Sequence, residues 1–238
     1  MDDVTIILQG YLDSHQIQKW IHNYSNWNVI ISTWCNGQGE SPEINISKLP
    51  PKWSFLMVPL PKKIVDIGNL QYQIQSTQNA FQHVDTEYII KARGDEFYSN
   101  LHRFVREMKY KKDQVICSDI FYRGYQGNYF HISDHLIGGT SENIKIMFEN
   151  TWEQIKDGWK MTPDFAGSAN PETYLGFGFV SHKENITKEE HESYLSKEMS
   201  EPLFEKWFDS YDLEKIAPYV VKAQGKQFTA KYECRYNF

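Results

Sequence analysis

The residues best placed to do chemistry are Lys91, Arg93, Asp95 and Glu96, crowded directly after the apolar run Tyr88-Ile89-Ile90. Such a run reads as a buried strand, and open α/β sheets place ligand-handling groups just beyond the carboxyl ends of their strands. Asp95 and Glu96 offer hard oxygen donors of the kind Mg²⁺ and Mn²⁺ prefer. Lys91 and Arg93 could face phosphate groups or hold the two carboxylates in place. Gly94 permits a tight turn or a close backbone approach. The same residues would equally serve as a solvated strand end, so the cluster needs company before it defines a site.

Three further polar islands supply candidates. In Ser133-Asp134-His135-Leu136-Ile137-Gly138-Gly139, an Asp and a His precede a double glycine. One could act as a base and the other as a ligand or hydrogen-bond donor, or Asp134 could simply cap a turn. In Pro171-Glu172-Thr173-Tyr174, proline at the first helical position opens a helix. Glu172 then lies in its first turn, where the helix dipole favours a carboxylate. It either does only that or projects into the crevice as a general base. The segment 69–77 carries Gln71, Gln73, Gln75, Ser76 and Thr77 on a helix that should cover the sheet. Buried amides and hydroxyls there need partners, which sugar hydroxyls or backbone carbonyls would both provide. Other chemistries find no support. Neither GxGxxG nor a P-loop follows the first strand, where Gln9-Gly10-Tyr11 has a single glycine. No GxSxG occurs, and the adjacent Ser133, Asp134 and His135 cannot form a triad by themselves.

The elements that must position these islands alternate. Short apolar runs predict strands over 4–8, 29–34, 54–58, 88–90 and 114–119. Between them, helical spacing predicts helices over 14–26, capped by Ser14, over 69–83, with Ile74, Thr77, Phe81 and Val84 inward, and over 100–109. Beyond Tyr122 the pattern loosens: a turn at 123–127, mixed strand and polar character over 131–139, a helix over 142–155, a loop over 161–170, then the helix opened by Pro171. Residues 183–212 read as charged and helical, and the chain looks strand-like from Tyr219. Apolar strands alternating with amphipathic helices imply an α/β fold with a largely parallel, doubly covered sheet.

Composition bounds the function. At 238 residues with 40% hydrophobic and 24% charged residues, the chain fits one α/β domain with a proper core. Aromatic residues make up 15%, enough to stack on sugars or bases as well as to fill a core. The formal net charge is −6 and only Lys109-Tyr110-Lys111-Lys112 is locally basic, which argues against nucleic acid as a partner. The three cysteines, Cys35, Cys117 and Cys234, form no CxxC or Cys/His zinc spacing, so neither a disulfide framework nor structural zinc is indicated. The acidic start Met1-Asp2-Asp3 lacks the basic region of a signal peptide. No apolar run reaches the ~20 residues of a membrane span, and the expected compartment is the cytoplasm.

Taken in order, Ser32-Thr33-Trp34, Gln73-Ile74-Gln75-Ser76-Thr77, Lys91-Ala92-Arg93-Gly94-Asp95, the 134–139 segment and Pro171-Glu172 resemble the glycosyltransferase-A class. Within it they resemble the WavE-like family linked to lipopolysaccharide synthesis. The resemblance implies a single Rossmann-like α/β domain, mostly parallel, with helices on both faces. Residues 1–182 would form its nucleotide-sugar-binding catalytic part. Residues 183–238 would be an extension packed on the same domain, serving the acceptor or an interface. A nucleotide-diphosphate-sugar donor would lie against Gly10, Tyr11, Thr33, Trp34, Gln73, Thr77, Lys91, Arg93 and His135, with Trp34 or Tyr11 stacking on the base. Mn²⁺ or Mg²⁺ would be held by Asp95, with His182 or His191 completing its shell as in some relatives. The usual pattern has two aspartates separated by one residue; here Arg93 occupies the first position, and Tyr72 stands where the family has an arginine. The cation, helped by Lys91 or Arg93, would stabilise the departing diphosphate. Asp134 or Glu172 would take the proton of a glycan acceptor hydroxyl in an inverting transfer. Two other readings remain open. One is a carbohydrate- or nucleotide-binding module that has lost catalysis, favoured by Arg93. The other is a metal-dependent nucleotidyltransferase or phosphohydrolase.

Overall fold

A computed structural model describes residues 1–35, 44–65, 67–120, 129–161, 170–223 and 226–229. The turn expected at 123–127, most of the segment 161–170 expected as a loop, and Cys234 lie outside the described residues. The first half of the chain forms β1 (Val4–Gln9), α1 (Ser14–Tyr24), β2 (Asn28–Cys35), β3 (Trp53–Pro59), α2 (Leu70–Phe81), β4 (Tyr88–Arg93) and β5 (Phe97–Tyr98). The second half continues with α3 (Leu101–Tyr110), β6 (Val115–Ser118), β7 (Leu136–Thr140), α4 (Ser141–Lys156), α5 (Pro171–Glu184), α6 (Lys197–Trp207), β8 (Phe208–Tyr211), β9 (Tyr219–Ala223) and β10 (Lys226–Thr229).

Seven strands form one sheet in the order β3-β2-β1-β4-β7-β6-β8. The first four are mutually parallel, β8 is parallel to β6, and β7 runs antiparallel between β4 and β6. Side chains alternate across a strand, and here both faces are covered. Val4, Ile6 and Leu8 of β1 join a core with Ile17, Trp20 and Tyr24 of α1 and with Leu101, Phe104 and Met108 of α3. Ile7, Ile30 and Ile89 point the other way, into a second core with Leu70, Ile74 and Phe81 of α2 and residues of α4 and α5. Two buried faces explain why the central strands read as unbroken apolar runs. A smaller antiparallel sheet, β10-β9-β5, stands beside the main one. Among the described residues, no helix is long and apolar enough to cross a membrane.

Three local expectations differ from the structure. The cap of α1 is Asp13, not Ser14: its carboxylate accepts from the amides of His15 (2.8 Å) and Gln16 (3.4 Å). A carboxylate both caps and complements the helix dipole. The strand read as ending at Ile90 continues to Arg93, because Lys91, Ala92 and Arg93 pair with Ile7, Leu8 and Gln9 of β1. Lys91 is therefore inside the sheet. Residues 183–212 are not continuously helical. After α6 the chain becomes β8, whose Phe208 and Tyr211 are buried where it adds to β6. The helical reading followed the charge pattern, whereas those two aromatics are held by the sheet edge.

Candidate functional site

The site is built where β1, β2 and β4 end. After Gln9, paired with Arg93 at the same level of the sheet, Gly10 takes a positive φ of 88°, a left-handed conformation that glycine adopts without strain. Its amide donates to the Ser32 carbonyl (3.1 Å), and the Thr33 hydroxyl donates to its carbonyl (2.8 Å). Gly94 closes on the same turn. Its amide donates to the Gln9 carbonyl (2.9 Å) and its carbonyl accepts from the Asp13 amide (3.2 Å). A Cβ on Gly94 would lie 2.8 Å from the Tyr11 carbonyl oxygen. The close approach that glycine permits here is to the Leu12 side chain and the Tyr11 backbone.

Beyond these turns opens a cleft of about 230 Å³. Six of the residues expected at a donor or metal site line it: Gly10, Tyr11, Trp34, Gln73, Arg93 and Asp95. Two of its lining residues each carry a buried polar atom that has no hydrogen-bond partner among the described residues, the indole nitrogen Nε1 of Trp34 and the side-chain oxygen Oε1 of Gln73. One is a donor and the other an acceptor. A buried polar atom left unpaired is costly, so both are suited to meet a ligand.

The floor of the cleft is an ionic network. The Arg93 guanidinium grips Asp95 in fork fashion, Nε to Oδ1 at 3.0 Å and Nη2 to Oδ2 at 3.1 Å, with Glu96 Oε1 3.4 Å from Nε. Glu96 is wholly buried. Nδ1 of His135 donates to its Oε1 (2.7 Å), the Tyr98 hydroxyl donates to its Oε2 (2.7 Å), and Trp20 Nε1 donates to its backbone carbonyl (2.6 Å). Asp134 accepts from the Gln73 amide through Oδ2, and its backbone carbonyl accepts from the Lys91 ammonium. His135 Nε2 lies 3.9 Å from Asp134 Oδ1.

This network separates the titrating groups. Burial works against a charge on Asp134, but Lys91, His135 and Arg93 outweigh it and hold the carboxyl below its ordinary range. Burial and the Asp134 charge both push Glu172 up, to about 7. Burial disfavours His135 as a cation, yet Glu96 and Asp134 carry its pKa above the usual imidazole value. Burial lowers Lys91, with Asp134 opposing. Burial also opposes the Arg93 charge, while Asp95 and Glu96 secure it. Glu172 lies in the first turn of α5, whose Pro171 packs beside Gly68, just before α2, and it feels the charges of Asp134, His135 and Lys91.

The fold has a solved counterpart. The crystal structure of the glycosyltransferase GlyE from Streptococcus pneumoniae TIGR4 matches 90% of this chain with a TM-score of 0.50 at 8% identity. The fold is one that a glycosyltransferase uses. The match takes in 46% of that chain, so the present chain spans about half its length. No protein-family model and no curated protein matches the sequence.

In this fold the other expected site residues, Asp134 and Glu172 among them, are not in the lining of the cleft. Thr33 fixes the Gly10 turn, and Thr77, fully buried, donates to the Gln73 carbonyl one helical turn back (2.8 Å). Lys91 and His135 are buried struts beneath Asp134 and Glu96. The structure does not bring His182 to Asp95. His182 sits in the last turn of α5 and lines a separate hollow of about 330 Å³ with Gln154 and Trp159. Ten residues of helix from Glu172 amount to ~15 Å. His191 bonds to the Lys188 carbonyl and lies against Trp159.

A divalent cation does not fit the donors in this arrangement. Both oxygens of Asp95 are held by Arg93, and both of Glu96 are held by His135 and Tyr98. Among the described residues, no group of three or more His, Cys, Asp or Glu could hold a metal ion. Sequence reasoning did not assign Gln9, Leu60, Asn69 or Tyr72 to the cleft they line. Gln9 and Asn69 each adjoin an assigned element, which was the available signal. Leu60 carried none. Glu96, a hard oxygen donor by residue type, here orients His135.

Proposed function

We propose that this chain is a glycosyltransferase of the WavE-like kind, moving a sugar from a nucleotide-diphosphate-sugar to a hydroxyl of a glycan acceptor with inversion. One observation carries the reading. At the carboxyl ends of β1, β2 and β4, a single cleft combines an unpartnered donor on Trp34, an unpartnered acceptor on Gln73 and the Arg93 guanidinium. A nucleotide sugar offers complementary groups: base and sugar edges for the first two, phosphate oxygens for the third. Crevices at this end of an open parallel sheet are where such ligands bind.

The chemistry follows from how the carboxylates differ. In the transfer, the bond between the anomeric carbon and the diphosphate oxygen breaks, and its electron pair stays on the phosphate. The acceptor oxygen forms the new bond to that carbon and gives up its proton. Glu172, pushed up to about 7, is matched to take that proton near neutral pH. Asp134, held ionised by its cationic neighbours, is too weak a base for this. It serves to anchor Gln73 and Lys91.

The test is product analysis over a panel of nucleotide sugars. Release of free nucleoside diphosphate, with one sugar preferred, is the expected result. Nucleoside monophosphate plus sugar phosphate would make the protein a phosphohydrolase. Tight donor binding with no product at all would make it a binding module.

A further inference from the structure

The side chain that blocks a metal shell is itself a cation, and it stands on the cleft wall. Arg93 is the strand-end residue of β4, with 30% of its side chain exposed and the rest packed between Asp95 and Glu96. A guanidinium has five N–H donors in a fixed plane. Two point at Asp95 along Nε and Nη2. With Nε and Nη2 engaged on one side, the guanidinium plane turns Nη1 away from Asp95. The clamp has two consequences. It fixes the plane, so little side-chain freedom is left to lose on binding an anion. It also leaves an outer edge able to donate to a second oxyanion.

The neighbouring residues agree with this assignment. Asp95 is 4% exposed, and a buried carboxylate needs a permanent counter-charge. Arg93 meets that need, whereas an exchangeable ion would meet it only part of the time. Lys91 adds a second buried basic side chain, which donates to the Asp134 carbonyl, so the basic groups are built into the strand end rather than recruited. We propose that Arg93 performs the work of the divalent cation: its Nη1 edge binds the diphosphate of the donor and stabilises the charge that forms there, so that donor binding and transfer need no metal. This rests on the glycosyltransferase reading and specifies its leaving-group chemistry.

The experiment is calorimetric binding of nucleoside diphosphates (UDP, GDP, CDP, ADP and dTDP) to the full chain, in EDTA and in Mn²⁺. Three proteins are compared: the wild type, R93Q, and the double variant R93Q/D95N. The double variant removes the stranded Asp95 charge, and circular dichroism and melting report whether each variant folds. In EDTA, one diphosphate should bind the wild type with an affinity within about twofold of that in Mn²⁺. Loss of a charge-assisted contact should weaken binding by about tenfold to a hundredfold in R93Q and in the folded double variant. R93K, keeping the charge without the fork, should fall between. Wild-type binding seen only in Mn²⁺ would overturn the inference while leaving the function standing. Undiminished EDTA binding by the folded double variant would do the same. No binding of any diphosphate under either condition would overturn the function reading itself, and this inference with it.

Discussion

Glu172 and Asp134 are both carboxylates, yet one cluster drives them apart: burial and a like charge raise the first, and Lys91, His135 and Arg93 hold down the second. The replacement Glu172→Gln should therefore lower kcat for transfer by about 10²- to 10⁴-fold, the usual range for a positioned base, with donor KM little changed. The acid limb of the wild-type kcat/KM profile should fall near pH 7, where Glu172 titrates, and should vanish in the variant. The same shift has a stability consequence. A carboxyl raised above its ordinary value of 4.5 contributes fully below that value and loses its contribution as pH rises through about 7. Melting curves should then show E172Q gaining on the wild type at alkaline pH and matching it below pH 4.5; a constant difference across pH would disprove the shift. Types and order of these residues were legible in the chain, since Asp134, Glu172 and Asp95 were all singled out from it. Their division of labour was not, because it depends on which cation each carboxylate faces across the fold.

At the scale of elements, the site depends on one strand end meeting one turn. β4 pairs with β1 through Arg93, and Gly94 then bonds to Gln9 and Asp13, fixing where Arg93 and Asp95 project. Substituting Gly94→Ala would press a methyl group against the Tyr11 carbonyl, 2.8 Å from the ideal Cβ position. A loss of about 1 to 3 kcal/mol is expected from such overpacking, measurable by urea denaturation. Nucleoside diphosphate affinity should drop with it, since Tyr11 lines the cleft. Full affinity in a folded G94A protein would mean that the turn does not shape the cleft. The strands β1 to β3 and the first three helices follow directly from apolar spacing. β7 and β8 do not, because Gly138 and Gly139 weaken one pattern and the charged helix α6 hides the other.

For the whole molecule, the sheet divides two cores, and the later part of the chain contributes to both. Phe208 of β8 is buried against Phe204 and Phe179, with ring centres 5.1 and 5.6 Å away. Phe208→Ala should cost about 3 to 5 kcal/mol while leaving diphosphate affinity intact, because the cleft lies at other strands. Denaturant unfolding should stay a single transition for both proteins. A separate early transition would show that the region around β8 folds on its own.

The sequence by itself determined the α/β class, the sheet's largely parallel character and the polar islands, two of which supply cleft residues. Those are local properties: period-two and helical spacing and clustered polar side chains report directly on which segments are buried. Only the tertiary structure decided that Arg93 grips Asp95, that Glu96 belongs to His135, and that His182 faces another hollow. Such pairings are set by which strand ends and helix starts the fold brings together, and a side chain's charge neighbours across that distance leave no trace in its own local pattern.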